Sequence, residues 1–228
     1  MTPYQQYLRA ERMINEEIIR PALSLSHPDT FVGHPVARMD TMRAFLRRCG
    51  DPQKGIPAIH VTGTSGKGTV AALIARALTL TGLRTGLHIS PYLQSATEKI
   101  QIDGRYIDPL HFADLADWVM PTARAFLSPS TPASIHGMAS VAIAFEAFRR
   151  ESVDVMVVEV GCGGRYDLTS FVDTEVAVIT NVGLDHTGTL GPTLTDIARH
   201  KAGIARPGAD LISGVRGDLR CIIHAEAA

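Results

Sequence analysis

The chain has 228 residues, 45% of them hydrophobic and 20% charged, enough to bury a real core and form one large domain or slightly more. Net charge is -1 with no run of like charges and no basic stripe, which argues against a nucleic-acid partner and confines any anion site to a local feature. Arg9, Glu11, Arg12, Glu16 and Glu17 interrupt the N-terminus, so neither a signal peptide nor a membrane span is expected and a cytosolic location follows by default.

In chain order, residues 1–52 read as an N-terminal helical segment, 53–212 as an α/β core and 213–228 as a C-terminal tail. Five apolar runs have strand length: Ile56 to Val61, Leu83 to Ile89, Val153 to Val160, Glu175 to Thr180 and, more weakly, Ala209 to Ile212. Helical spacing lies between them. Val70, Leu73, Ile74, Ala77 and Leu78 mark one inward face, and Met138, Val141, Ala142, Phe145 and Phe148 another. Asp108 before Pro109 reads as a cap and first helical residue, and Pro192 after Gly191 reads as a helix start of the same kind. Ser128 to Ser134 reads as an exposed loop, and Asp218 to Ala228 as an amphipathic helix. Strands alternating with helices predict a doubly wound, mainly parallel sheet, with ligands bound beyond the carboxyl ends of its strands. Cys49, Cys162 and Cys221 are far apart with no C-x-x-C pair, which predicts free thiols.

The first strand runs directly into Gly63-Thr64-Ser65-Gly66-Lys67-Gly68-Thr69, and a helix follows at once. Strand, glycine loop and helix form the context of a phosphate-binding P-loop. Glycines let backbone N–H groups face phosphate, the helix N-terminus adds partial positive charge, and Lys67 reaches the terminal phosphates. Thr69 would face a magnesium ion. The spacing departs from G-x-x-x-x-G-K-[ST], because Thr64 and Ser65 alone separate Gly63 from Gly66 and Gly68 intervenes before Thr69.

His60 to Thr69, HVTGTSGKGT, resembles the H-V-x-G-T-N-G-K-G-[ST] signature of folylpolyglutamate and dihydrofolate synthases, relatives of the Mur ligases. Further motifs follow in the family's order: GLHISPYL at Gly86 to Leu93, VEVGCGGRYD at Val158 to Asp167, ITNVGLDH at Ile179 to His186 and HKAGI at His200 to Ile204. The resemblance implies a P-loop α/β domain like the central domain of the Mur ligases, with ATP and magnesium as cofactors. It also implies ligase chemistry, in which ATP phosphorylates a carboxylate and an amine attacks the acyl phosphate. The implied partners are glutamate and a folate or folate-like acid. By resemblance Thr69, Ser90, Glu159 and His186 hold the metal, Arg165 and Asp167 touch substrate, and Lys201 carries a carbamate that makes it an anionic metal ligand. Lys67, His186 and Lys201 are thereby the catalytic candidates.

Residue chemistry gives each a plainer reading beside this one. Glu159 could be a solvated strand-end acid, His186 a structural loop histidine, Asp167 a turn cap and Arg165 the partner of a surface acid. Lys201 continues an inward face marked by Leu194, Ile197 and Ala198, so its stem could snorkel.

The match is uneven. Ser65 replaces Asn, Tyr92 replaces His, Lys99 stands where Arg is common, Leu168 and Ser170 replace Ala and Asn, and His200 replaces Glu. Ser134-Ile135-His136-Gly137 lacks the Phe-Glu pair of many folate-using members. Phosphate-side motifs are better kept than pterin-side ones. Two rival expectations therefore stand: the same ligase chemistry on a non-folate acid, or a non-catalytic ATP-binding module. Members also carry a smaller C-terminal domain that binds glutamate. It is expected to be missing here, the chain being a fragment or drawing its second ligase domain from another polypeptide.

Overall fold

The structure, a computed structural model, describes residues 1–19, 35–128 and 130–227; expectations touching 20–34, Pro129 and Ala228 lie to that extent outside the described residues. All five apolar runs become strands: β1 (Pro57–Thr62), β2 (Thr85–His88), β5 (Val155–Glu159), β6 (Asp173–Ile179) and β7 (Asp210–Ser213). They pair in parallel, and an antiparallel hairpin, β3 (Ile100–Ile102) and β4 (Arg105–Tyr106), is added beside β2. The seven strands lie in the order β4-β3-β2-β5-β1-β6-β7.

The helices are α1 (Pro3–Arg12), α2 (Pro35–Arg48), α3 (Lys67–Leu80), α4 (Pro109–Phe126), α5 (Ile135–Arg150), α6 (Thr187–Leu190), α7 (Leu194–Ala202) and α8 (Asp218–Ala227), with a π-helical turn over Met13–Ile19. Strand alternation divides the core. Ala58, Met156 and Val158 face α4, α5 and the N-terminal helices, whereas Val61, Val157 and Val178 face α3. Helix α5 carries the expected apolar row, yet Ile143, Ala144 and Ala147 are buried as well, because other helices cover its back. Each fully buried Phe there contributes about 2 kcal/mol of apolar transfer. The connection from α4 to α5 leaves Ser128, Ser130 and Ser134 exposed.

Asp108 caps α4 as expected, its Oδ1 accepting from Leu110 N at 2.8 Å. Three sequence expectations need correction. Leu73 is 66% exposed and Ala77 is exposed too. The inward face of α3 is Val70, Ala71, Ile74, Ala75 and Leu78, one residue away around the helix. Leu194 is 38% exposed, so the buried row of α7 begins at Ile197. Pro192 does not open α7 either: Thr193 is its cap, in a reciprocal box with Asp196.

Parallel register decides what meets at the carboxyl edge. Val61 lies opposite Glu159 on one side and Val178 on the other. The segments after β2, β1 and β6 therefore emerge side by side with Glu159. No described helix is long and apolar enough to cross a membrane.

Candidate active site

The loop leaving β1 is built for close approach. A Cβ on Gly63 would lie 1.8 Å from Thr180 Oγ1, so no larger residue fits while Thr180 keeps its place. Gly66, at φ 75°, is the N-cap of α3 and offers no side chain to cap it. Within the first turn of α3 the Gly68 N–H meets the Glu159 carboxylate, which leaves the Lys67 and Thr69 N–H groups to an outside anion. Lys67 opens the helix and its Nζ curls back to Gly63 O at 3.2 Å; Thr69 is exposed in the same turn.

Asn181, just beyond β6, holds the loop from the other side. Its Oδ1 accepts from Thr64 N at 3.1 Å and Ser65 N at 3.0 Å, while its Nδ2 donates to Ser65 O at 3.1 Å and Ser65 Oγ at 3.0 Å. Thr180 Oγ1 also donates to Ser65 O, at 2.7 Å. Ser65, which departs from the family pattern, is accommodated by this grip. Asn181 and Thr180 lie within the ITN motif, but their task of clamping another strand's loop is invisible without the strand order.

Glu159, 5% exposed, ends β5 beside Gly68 and accepts from Ser90 N at 2.8 Å. Burial pushes its carboxyl above the usual range, opposed by the Ser90 amide and the nearby Lys67 charge. The structure thus brings Ser90, Glu159, Lys67 and Gly68 together.

Lys201 is 2% exposed, and among the described residues its ammonium makes no hydrogen bond or ion pair. Burial pulls its pKa down to about 8, helped by repulsion from Lys67, with Cys162 and Asp185 opposing. The stem is enclosed while the Nζ keeps contact with solvent, so a snorkelled lysine and a functional one share this geometry. His186 is different. It starts α6 with φ 48°, and its half-exposed imidazole faces Asp185 at 3.6 Å. Among the described residues no three acid, imidazole or thiol groups cluster as a metal cage.

Arg165 and Asp167 both make structural contacts. Arg165 donates to Glu226 of α8 at 2.5 Å. Asp167 is buried and accepts from Cys162 N at 3.0 Å, Thr169 N at 3.0 Å and Thr169 Oγ1 at 2.6 Å, fixing the glycine loop after β5. Thr169 Oγ1 gives its proton to Asp167, so His60 Nε2, 2.8 Å away, is the donor to that hydroxyl. His60 is then a neutral imidazole, and burial holds its pKa near 4. This His60–Thr169–Asp167 relay joins β1 to the glycine loop; sequence reading left His60 as one letter of a signature.

A cleft of about 260 Å³ opens from Glu159 and Ser90 past Asp167, His88, Lys99 and His136. It lies beyond the carboxyl ends of β2 and β5, where ligands of open α/β sheets bind.

The Mur ligase middle domain family matches residues 61–210. The chain therefore belongs to the Mur ligase family. A dihydrofolate synthase/folylpolyglutamate synthase of Mycobacterium tuberculosis is 38% identical over 184 residues, which cover 78% of this chain and 37% of the relative. A folylpolyglutamate synthase of Lacticaseibacillus casei is 36% identical over 185 residues, covering 80% of this chain and 43% of the relative. Among solved structures, the M. tuberculosis folylpolyglutamate synthase complexed with ADP superposes with TM-score 0.82 at 32% identity, over 99% of this chain and 48% of that one. A folylpolyglutamate synthase (FPGS) complex with AMPPCP and folate gives 0.82 at 31% identity, over 96% and 51%. Within the Mur ligases this is the folylpolyglutamate and dihydrofolate synthase branch, and the chain spans less than half the length of both curated relatives.

Proposed function

We propose that the chain is the ATP-binding portion of a carboxylate–amine ligase of the folylpolyglutamate/dihydrofolate synthase type, joining glutamate to a folate or folate-like acid. The observation that carries this reading is the uncapped N-terminus of α3, with Lys67 and Glu159 beside it and the unpaired, buried Lys201 near enough to feel the Lys67 charge. Relatives bound to ADP, to AMPPCP and to folate support ATP and a folate-like acid as its ligands.

In the proposed reaction a carboxylate oxygen of the acid attacks the γ-phosphorus of ATP, giving an acyl phosphate and ADP. The glutamate amine then attacks the acyl carbon, the amide forms, and phosphate and a proton leave. Loop amides of Gly66, Lys67 and Thr69 and the Lys67 ammonium hold the phosphates and offset the charge that gathers there. The oxygens of Thr69, Ser90 and Glu159 form a hard donor set that fits magnesium, with His186 as the imidazole member. Magnesium, when bound, screens the phosphates from the approaching carboxylate.

Lys201 completes this site as a carbamate. Its unprotonated amine adds carbon dioxide and loses a proton, which turns a buried cation into an anion suited to a metal. A pKa near 8 makes that amine available close to neutral pH. Arg165 and Asp167 are assigned to the substrate side; Asp167 lines the cleft, whereas Arg165 lies outside its lining and is paired with Glu226. Residues 53–212 form the nucleotide domain, 1–52 and 213–228 flank it, and glutamate is expected on a further ligase domain in the same or another chain. The acid itself is a second question. His136 in the cleft, within the segment that lacks the Phe-Glu pair of many folate users, favours a related but non-folate acid as the rival reading.

Amide synthesis tests the proposal: ATP, magnesium and glutamate are supplied with a panel of folates, pteroates and unrelated aryl acids, and products are read by mass spectrometry. Amide formation that needs ATP, acid and glutamate together, and is lost in Lys67→Ala, is expected. ATP binding without product from any acid, with the further ligase domain also supplied, would leave a nucleotide-binding module instead.

A further inference from the structure

Arg165 lines an open groove of about 410 Å³, separate from the cleft and bordered by α6, α7 and the last turn of α8. Its Nη2 donates to Glu226 Oε2 at 2.5 Å, and Arg199 Nε of α7 lies 3.5 Å from the other oxygen of that carboxylate. One acid on α8 thus ties the glycine loop after β5 to α7. The helix that carries it has its own seat, because Leu219, Ile222 and Ile223 cluster with Ala198 and Ala202 of α7. Glu226 is therefore presented from a fixed support, and the ion pair is not needed to hold α8.

What the pair does hold is the loop against the end of α7. Arg165 N donates to His200 O at 2.8 Å. A Cβ on Gly164 would lie 2.6 Å from His200 O and 3.1 Å from Lys201 O, and one on Gly203 would lie 2.5 Å from Arg165 Cβ. Loop and helix end therefore touch with no side chain between them at these glycines. Cys162, at the start of the same loop, is close enough for its charge to act on Lys201. Among the described residues the Lys201 ammonium has no hydrogen bond or ion pair, so the packing around its stem is what aims it. Anything that lifts the loop from α7 moves the wall that does the aiming.

We propose that Glu226 is a positioning residue of the ligase site: by clamping Arg165 and Arg199 it holds the glycine loop on α7 and keeps Lys201 directed at the metal position. The inference rests on the ligase reading. The side chains of Arg165, Arg199 and Glu226 are 40%, 57% and 28% exposed, and ion pairs so open to solvent add little to stability. Loss of Glu226 should therefore spare the fold and be felt in geometry. Outer groups that orient a metal ligand change metal affinity by about ten-fold or more when they are removed. Residue 200 is another place from which an acid could reach Arg165, because their backbones are bonded and the Arg165 charge, after burial, holds the His200 imidazole below its usual pKa.

The test is calorimetric titration of the 228-residue chain with a non-hydrolysable ATP analogue, in bicarbonate buffer, with and without magnesium. Magnesium is expected to tighten wild-type binding by about ten-fold or more. Glu226→Ala should remove most of that gain while leaving the magnesium-free affinity within about two-fold. Adding His200→Glu to Glu226→Ala should restore about half of the loss, since the acid then reaches Arg165 from α7. A full magnesium gain in Glu226→Ala overturns the proposal and leaves the ligase reading standing. An equal loss with and without magnesium also overturns it, because Glu226 would then support the fold in general, and so does a double variant no better than the single one. If magnesium brings the wild type no gain the proposal falls, while the amide-synthesis assay separately decides whether the ligase reading survives.

Discussion

Lys201 is the residue whose chemistry is most constrained by its surroundings. A lysine that is 2% exposed as a residue, with no partner for its ammonium among the described residues, keeps its charge at a cost that its lowered pKa reflects. Conversion to an anion beside Lys67 removes the repulsion and creates an attraction. Labelling with carbon-13 bicarbonate should give a carbamate resonance that grows as pH rises through about 8 and is absent in Lys201→Arg. No resonance at any pH would return Lys201 to a plain structural lysine. The sequence exposed this residue because a lysine on an apolar helical row demands a reason. His60 carried no such flag: a histidine within a strand gives no hint that it orders Thr169 and Asp167 more than a hundred positions away.

At the scale of elements, the turn from β1 into α3 shows how far local pattern reaches. Strand, glycines, lysine and helix are contiguous, so the strand–loop–helix turn was legible in full. Its clamp was not, since Asn181 and Thr180 arrive from β6 and adjacency of β1 and β6 is a property of the sheet. Gly63→Ala tests the clamp. Its Cβ would overlap Thr180 Oγ1 and push that hydroxyl off Ser65 O, so affinity for ATP analogues should fall about ten-fold or more. Thr180→Ala in the same chain should restore part of the loss; full affinity in Gly63→Ala alone would show that the loop is not held this way.

Helical faces were misplaced by one residue at Leu73, Ala77 and Leu194. Each residue advances the helix by only about 100°, so two adjacent rows fit one apolar period and the neighbouring elements choose between them. The β3–β4 hairpin escaped notice because strands of three and two residues have no measurable alternation. Its turn, Asp103-Gly104, with φ 53° and 77°, is a D-G signal that could have revealed it.

For the whole molecule, the buried imidazoles set the response to acid. His60 and His88 are buried and have pKa values near 4, below the 6.5 of a free histidine. As pH falls through 6.5 the unfolded chain takes up these protons and the folded chain does not, so stability should drop between pH 6.5 and 4. The loss is at most on the order of 3 kcal/mol per imidazole. Urea unfolding across that range should show the decline, and His88→Gln should flatten it; an unchanged midpoint from pH 6.5 to 4 would mean these sites are not closed to protons.

The parallel sheet also unifies the chemistry, because one edge gathers Ser90, Glu159, Lys67 and Asn181 from four consecutive strands of the sheet order. That edge is proposed to activate a carboxylate with ATP. Isotope transfer tests the claim most directly: the acid is labelled with oxygen-18 in its reacting carboxylate and supplied with ATP, magnesium and glutamate. One labelled oxygen in each released phosphate is the predicted result, since the acyl phosphate passes a carboxylate oxygen to phosphorus. Unlabelled phosphate, with both labelled oxygens still on the acid, would contradict it and reduce the chain to an ATP-hydrolysing or ATP-binding domain.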